Sequence, residues 1–225
     1  MKNRCRKLVG MGMAVLLTVS SMPVTAWAGT VTPEEIVSEQ LVQEGEISTP
    51  GEVTSAEDFE YKELEDGTLE ITGYNGSDTK VVIPAKLDGK TIVSIGAYAF
   101  SGCSSLTDIE LPDGITSIGA YAFCECSRLA GIELPEGSVE MGEGVFFDCS
   151  SLTDIELPEG ITSIENNMFS DCRNLTSIKL PAGVTSIGEY VFYGCSSLTD
   201  IEIPGGVTNI GAFAFFDCSN LTDIE

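Results

Sequence analysis

Eight cysteines and no histidine bound the chemistry open to this chain. Six of them, Cys103, Cys126, Cys149, Cys172, Cys195 and Cys218, follow one another at intervals of 23 residues. A thiol acts as a nucleophile, a metal ligand or a disulfide partner, and each role needs a neighbour. Without histidine no Ser–His or Cys–His nucleophile can form. No Cys-x-x-Cys pair offers a tetrahedral site, so no metal centre and no cofactor are expected. If the repeats stack, neighbouring cysteines come within bridging range, but their side chains point the same way. An odd number also remains once the N-terminal leader is set aside. The expectation is a ladder of six buried thiols, with Cys124, two residues before Cys126, left accessible as the exception.

Carboxylates are the second candidate. The chain holds 35 acidic residues against 11 basic ones. In the repeat frame they form columns. One column runs Asp108, Gly131, Asp154, Ser177, Asp200 and Asp223; the next runs Glu110, Glu133, Glu156, Lys179, Glu202 and Glu225. A third, past the proline, runs Asp113, Glu136, Glu159, Ala182 and Gly205. Carboxylates stacked about 5 Å apart repel by roughly 1 kcal/mol per pair in water, less in salt. The columns are open, with no sign of a pocket that would split two carboxyl pKa values for acid–base work. No phosphate-binding loop is present. The candidate binding face is therefore Asp108, Glu110, Glu133, Asp154, Glu156, Asp200 and Glu202, suited to a basic protein or to divalent cations. The competing reading is a solvated face that keeps a repetitive sheet soluble.

Aromatic residues form a third set. Tyr98, Tyr121, Tyr190 and Phe213 share one column, and Phe147, Tyr193 and Phe216 share another. Exposed on the far side of the coil, Tyr98, Tyr121, Tyr190, Tyr193, Phe213 and Phe216 would suit protein or glycan contact. The alternative is that they cover the outer core.

What must hold these columns is a coil of 23 residues. Phenylalanine keeps the step at Phe100, Phe123, Phe146, Phe169, Phe192 and Phe215; leucine keeps it from Leu106 to Leu221; isoleucine from Ile109 to Ile224; proline from Pro112 to Pro204. Leu106, Ile109 and Leu111 begin a short strand that Pro112 ends for want of a backbone donor. Asp113-Gly114 turns the chain, Ile115 and Ile118 point inward, and Ala122-Phe123 lies in a short helical or irregular convex arc. One coil buries about six apolar side chains at roughly 1.5–3 kcal/mol each. Ordering its backbone costs roughly 1 kcal/mol or more per residue. A single coil cannot stand alone, whereas stacked coils share their faces. The expected core is Leu106, Ile109, Phe123, Cys126, Phe146, Cys149, Phe169, Cys172, Phe192 and Cys195.

The Leu-x-x-Ile-x-Leu-Pro run from Leu106, the Ile-Gly-x-x-Ala-Phe run from Ile118 and the closing cysteine resemble the BspA-like leucine-rich repeats of bacterial surface and secreted proteins. The resemblance covers about residues 81–225. It implies a leucine-rich-repeat solenoid of parallel β coils, and a role in adhesion. Tyr61 to Pro84 also looks like the N-terminal β cap seen with this class.

The remaining boundaries follow from composition. Lys2, Arg4, Arg6 and Lys7, the apolar run Leu8–Val19 and Ala26-Trp27-Ala28 have the order of a secretory signal peptide, residues 1–28. Its removal leaves 7 basic groups against 35 acidic, a formal charge of −28. That field repels nucleic acid and anionic lipid, and no other stretch approaches membrane length. Residues 29–57 are expected to be an acidic, disordered linker, residues 58–84 the cap, and residues 85–225 the solenoid. Two coils depart from the frame: Ser138 and Met141 replace the usual apolar pair, and Glu165 replaces the usual glycine. The pattern stops at Glu225 inside a further strand, so the repeats are expected to be truncated. The functional expectation is a non-enzymatic secreted or cell-surface protein that presents a binding surface to a protein or host-surface ligand. A passive spacer, or an accessory region for a missing C-terminal domain such as an enzyme, is the alternative.

Overall fold

The computed structural model describes residues 53–137 and 139–224. The expected leader, most of the expected linker, Ser138 and Glu225 lie outside them. Two strands open the fold, β1 (Phe59–Glu63) and β2 (Leu69–Tyr74), paired antiparallel around the Asp66-Gly67 turn. Gly67, at φ +82°, takes the left-handed conformation that this turn needs. β3 (Lys80–Val82), β4 (Lys86–Leu87) and β5 (Lys90–Ile95) follow. β4 and β5 pair antiparallel and lengthen the first coil between Pro84 and Ile95. Ahead of β1, Thr54 is buried against β3: its amide donates to the Val82 carbonyl at 3.2 Å and its hydroxyl accepts from the Val82 amide at 2.9 Å.

Beyond the opening pair the chain is a parallel β-solenoid. Its further strands are β6 (Asp108–Glu110), β7 (Ser117–Ile118), β8 (Glu140–Met141), β9 (Ser163–Ile164), β10 (Ser186–Ile187), β11 (Asp200–Ile201), β12 (Asn209–Ile210) and β13 (Asp223–Ile224). Each coil has two places for a strand. The Ser-Ile position is the better ladder: β2, β5, β7 and β8 pair side by side, and β9, β10 and β12 form a separate sheet. The Asp-Ile-Glu position pairs β3 with β6 and β11 with β13, with single bridges Glu110–Glu133 and Glu156–Lys179. The strand foreseen from Leu106 to Leu111 is thus shorter, Asp108–Glu110, and its ladder is discontinuous.

The core follows the repeat frame. Leu106, Ile109, Phe123, Cys126, Phe146, Cys149, Phe169, Cys172, Phe192 and Cys195 are all buried. The phenylalanines form a stack through the interior: ring centroids are 5.4 Å apart from Phe100 to Phe123, 5.8 Å to Phe146, 5.6 Å to Phe169, 5.7 Å to Phe192 and 5.4 Å to Phe215. Tyr74 of β2 extends the stack at 5.5 Å from Phe100. Each such ring pair adds about 0.5–1.5 kcal/mol beyond its burial. In the irregular coil Val139 is buried where the frame places Ser138, and the Glu140 amide reaches the Thr116 carbonyl in place of the residue before it. Gly137, in the same coil, has a φ of +105°, closed to most side chains.

The convex arc is irregular rather than helical, because its amides are spent between coils. Tyr98, Phe100 and Gly102 donate to Ala120, Ala122 and Cys124 of the next coil at 2.8–3.0 Å, and the same pattern recurs along the stack. Two left-handed residues turn each arc, as at Tyr121 (φ 57°) and Glu125 (φ 60°).

Candidate binding surfaces

The acidic face is carried on the Asp-Ile-Glu strands, where alternation turns Ile109 inward and its neighbours outward. Asp108 is half-buried; Glu110, Glu133, Asp154, Glu156, Asp200 and Glu202 are exposed. The structure brings Glu110 beside Glu133, Glu156 beside Lys179 and Asp200 beside Asp223 on adjacent coils. Lys80 of β3, absent from the columns as read in sequence, closes their N-terminal end. Its ammonium lies 2.6 Å from Glu110 and 3.1 Å from Asp108. Both partners are about half exposed, so solvent screens each contact and it adds little to stability. Thr153 and Thr199 donate to the carboxylates of Asp154 and Asp200 at 2.7 and 2.8 Å. Thr199, Asp200, Ile201, Glu202, Thr222 and Asp223 line a shallow depression at the far end of this face. Among the described residues no group of three or more Cys, Asp or Glu side chains stands close enough together to hold a metal ion. Nor is any described helix long and apolar enough to cross a membrane.

The aromatic residues form two clusters on the convex side. In the first, Tyr98 stacks on Tyr121 at 5.3 Å and Tyr121 meets Phe147 edge-on at 6.3 Å. In the second, Tyr190 stacks on Phe213 at 5.2 Å and Tyr193 on Phe216 at 5.4 Å. Tyr98, Phe213 and Phe216 are more than half exposed, at 54%, 54% and 53%. Tyr121, Tyr190 and Tyr193 are half-buried. Gly144 and Asn167 occupy the same column between the clusters, and the Tyr121 ring leans over Gly144, leaving no room for a side chain there. Tyr98, Tyr121, Tyr190 and Phe213 all sit at φ 57–61°, the left-handed region. That conformation costs a side chain roughly 1–2 kcal/mol, least for Gly and Asn.

Sequence reading missed a polar knot between the clusters. The Tyr121 hydroxyl donates to the Glu143 carboxylate at 2.8 Å, and Asn167 donates to the same oxygen at 3.1 Å. Burial, then Glu143, push the Tyr121 hydroxyl up to about 12. The signal was in the column of Ala97, Ala120 and Ala212, where Glu143, Asn166 and Glu189 break the alanine pattern.

The described cysteines form no disulfide with one another. The accessible thiol expected at Cys124 is a correction: Cys124 is buried, at 7% exposure. It lies in the column of Ser101 and Phe147, so residues of the coils before and after cover it. Burial, then Glu125, push its thiol up to about 11. Cys103 and Cys218, assigned to the buried ladder, are only half-buried.

Comparison with known proteins accounts for the frame. The model of the BspA type leucine-rich repeat region matches six copies over residues 93–222. The T. pallidum leucine-rich repeat protein TpLRR is similar at 32% identity, with 76% of this chain and 91% of that one covered and a TM-score of 0.64. A leucine-rich cell surface protein of Faecalibacterium prausnitzii A2-165 is 31% identical over 79% of this chain and 55% of its own, with a TM-score of 0.61. This chain thus spans about half of that relative. A leucine-rich repeat protein of Eubacterium ventriosum, 24% identical over 75% of this chain and 52% of its own with a TM-score of 0.50, shares the fold. No curated protein matches. The phenylalanine stack, the cysteine column and the six repeat matches place the chain in one group: it belongs to the BspA-type leucine-rich-repeat family of bacterial proteins.

Proposed function

We propose that this bacterial repeat protein is a non-catalytic binding module, secreted or displayed at the cell surface, whose convex aromatic clusters engage a protein ligand in adhesion. One observation carries the reading. Tyr98, Tyr190 and Phe213 hold exposed or half-exposed rings on left-handed backbone, where Gly144 and Asn167 show the residues that the fold itself would favour. A ring on strained backbone that stays partly in water adds less to folding than a core ring, and aromatic rings of this kind anchor interfaces. The similarity to a cell surface protein of F. prausnitzii supports the location.

The test is adhesion of the secreted chain to host epithelial cells, with Tyr98→Gly, Tyr190→Gly and Phe213→Gly compared with the parent. Glycine relieves the strain, so thermal stability should hold or rise while adhesion falls at least tenfold. Unchanged adhesion in all three would remove the aromatic side. Charge reversal at Glu110, Glu133 and Glu156 then tests the acidic face, whose binding would weaken in salt. Adhesion that resists both sets of changes would favour the spacer reading.

A further inference from the structure

The glycine after each Ser-Ile strand is dictated by how closely the coils approach. A Cβ on Gly119 would lie 2.5 Å from the backbone nitrogen of Ala97, and one on Gly142 the same distance from that of Ala120. On Gly188 it would lie 2.7 Å from the Asn166 nitrogen, and on Gly211 2.4 Å from the Glu189 nitrogen. No side chain fits such a gap without moving the preceding coil away. At the corresponding place in the coil between Gly142 and Gly188 the residue is Glu165.

The ladder fails at that coil. β8 ends one sheet and β9 begins another. Elsewhere the amide in this column donates to the carbonyl of the isoleucine 24 residues earlier: Gly119 to Ile95, Gly142 to Ile118, Gly188 to Ile164 and Gly211 to Ile187, each at 2.8–2.9 Å. Among the described residues the Glu165 amide has no such acceptor. Among the described residues the Thr162 amide also makes no counterpart of the rung that Thr116, Thr185 and Thr208 make one coil back. The other sides of the same junction stay bonded. Gly144 donates to Asn166 at 2.9 Å, Phe146 to Met168 at 3.0 Å and Thr153 to Ala130 at 3.1 Å, and the Phe146 and Phe169 rings remain stacked.

We propose that Glu165 is a built-in wedge, and that the β8–β9 junction is a joint at which the solenoid flexes between two stiff blocks, residues 53–141 and 163–224. The joint opens on the Ser-Ile side and pivots on the convex arc and the phenylalanine stack. A repeat array is held together by nearest-neighbour interfaces, so one weakened interface divides its cooperativity. The first aromatic pair, Tyr98 and Tyr121, rides on one block. Tyr190, Tyr193, Phe213 and Phe216 ride on the other. Flexing therefore changes the angle between the two clusters. The joint does not depend on what, if anything, those clusters bind.

Amide hydrogen exchange on the intact chain tests the wedge. The Glu165 amide should exchange at least about tenfold faster than those of Gly142 and Gly188. Glu165→Gly should bring it to the protection of its neighbours and merge the unfolding of the two blocks into one transition. Glu165→Ala keeps the Cβ and removes the charge, and should leave exchange fast. A Glu165 amide already as protected as Gly188 would overturn the proposal. So would Glu165→Gly with no added protection, or Glu165→Ala protecting as well as Glu165→Gly, because the carboxylate and not the Cβ would then hold the junction open.

Discussion

The thiol of Cys149 donates to the backbone carbonyl of Phe123, one coil earlier, at 3.2 Å. The same oxygen accepts the Cys126 amide at 3.2 Å, so both of its lone pairs are used. The arrangement recurs from Cys126 to Phe100, Cys172 to Phe146, Cys195 to Phe169 and Cys218 to Phe192, at 3.0–3.2 Å. It explains the column chemically. The site needs a small, largely apolar side chain that still carries one weak donor, and cysteine supplies both.

Cys149→Ala should therefore cost about 1–2 kcal/mol, combining a small cavity with a half-satisfied carbonyl. Urea denaturation would measure it. Alkylation of Cys126, Cys149, Cys172 and Cys195 in the native protein should proceed only as fast as the coils open. Labelling at the rate of a free thiol would contradict their burial.

Alkali should unfold the protein in a steep step. Burial is the leading cause that raises the thiols of Cys126, Cys149, Cys172 and Cys195 above their ordinary value of 9.0. Their neutral form belongs to the folded state, so the associated stability is complete below about pH 9 and is lost as pH rises beyond it. Substituting Cys172 by alanine should lower overall stability yet flatten this alkaline loss, which a pH series of melting curves would show.

Much of this was legible in sequence because a repeat prints its core in columns. Phe123, Phe146 and Phe169 can share one step of 23 residues only if their environments are equivalent. Departures from the frame were visible too, but their effects were not. Glu165 could be seen to replace a glycine; that a Cβ in this column would stand about 2.5 Å from the backbone of the preceding coil needed coordinates. Val139 standing in for Ser138 is a one-residue offset that no column reveals. The Lys80 contacts and the Tyr121–Glu143–Asn167 knot join residues of different columns, and periodicity carries no information across columns. Cys124 was misjudged because it was read as one residue rather than as part of a covered column.

The phenylalanine stack should be least tolerant at its centre. Phe169 is fully buried and contacts rings on both sides, at 5.6 and 5.7 Å. Phe169→Ala should cost about 3–5 kcal/mol and Phe169→Leu less, because leucine refills part of the cavity. Phe215, half-buried, should tolerate the same change better. Equal losses at the two positions would mean that coils do not share the stack's energy.

Two glycines make a controlled pair. Gly188 has no room for a Cβ, whereas Gly205 has nothing within 4 Å and an ordinary backbone angle. Gly205→Ala should be neutral or stabilise by about 0.4–1 kcal/mol, by restricting the unfolded chain. Gly188→Ala should destabilise by more than that and raise exchange at the β9–β10 rungs. Calorimetry on the two variants, prepared side by side, would show whether coil spacing or glycine flexibility is at issue.

Asp148 supplies an acid-side prediction of opposite sign to the usual one. Burial, then the Asp171 carboxylate on the next coil, hold its carboxyl above the ordinary 3.8. A raised folded-state value means that the charged form is disfavoured by folding, so this side chain weakens the protein at neutral pH and ceases to do so as pH falls through that raised value. Asp148 also stands at φ 53°, a conformation asparagine accepts. Asp148→Asn should raise the Tm at pH 7, and the gain should shrink on acidification and vanish by about pH 3, where both side chains are neutral. Glu110→Gln, which removes the ion pair with Lys80, should not raise the Tm at pH 7. A stabilisation at Asp148 that persisted unchanged at pH 3 would point to backbone preference rather than charge.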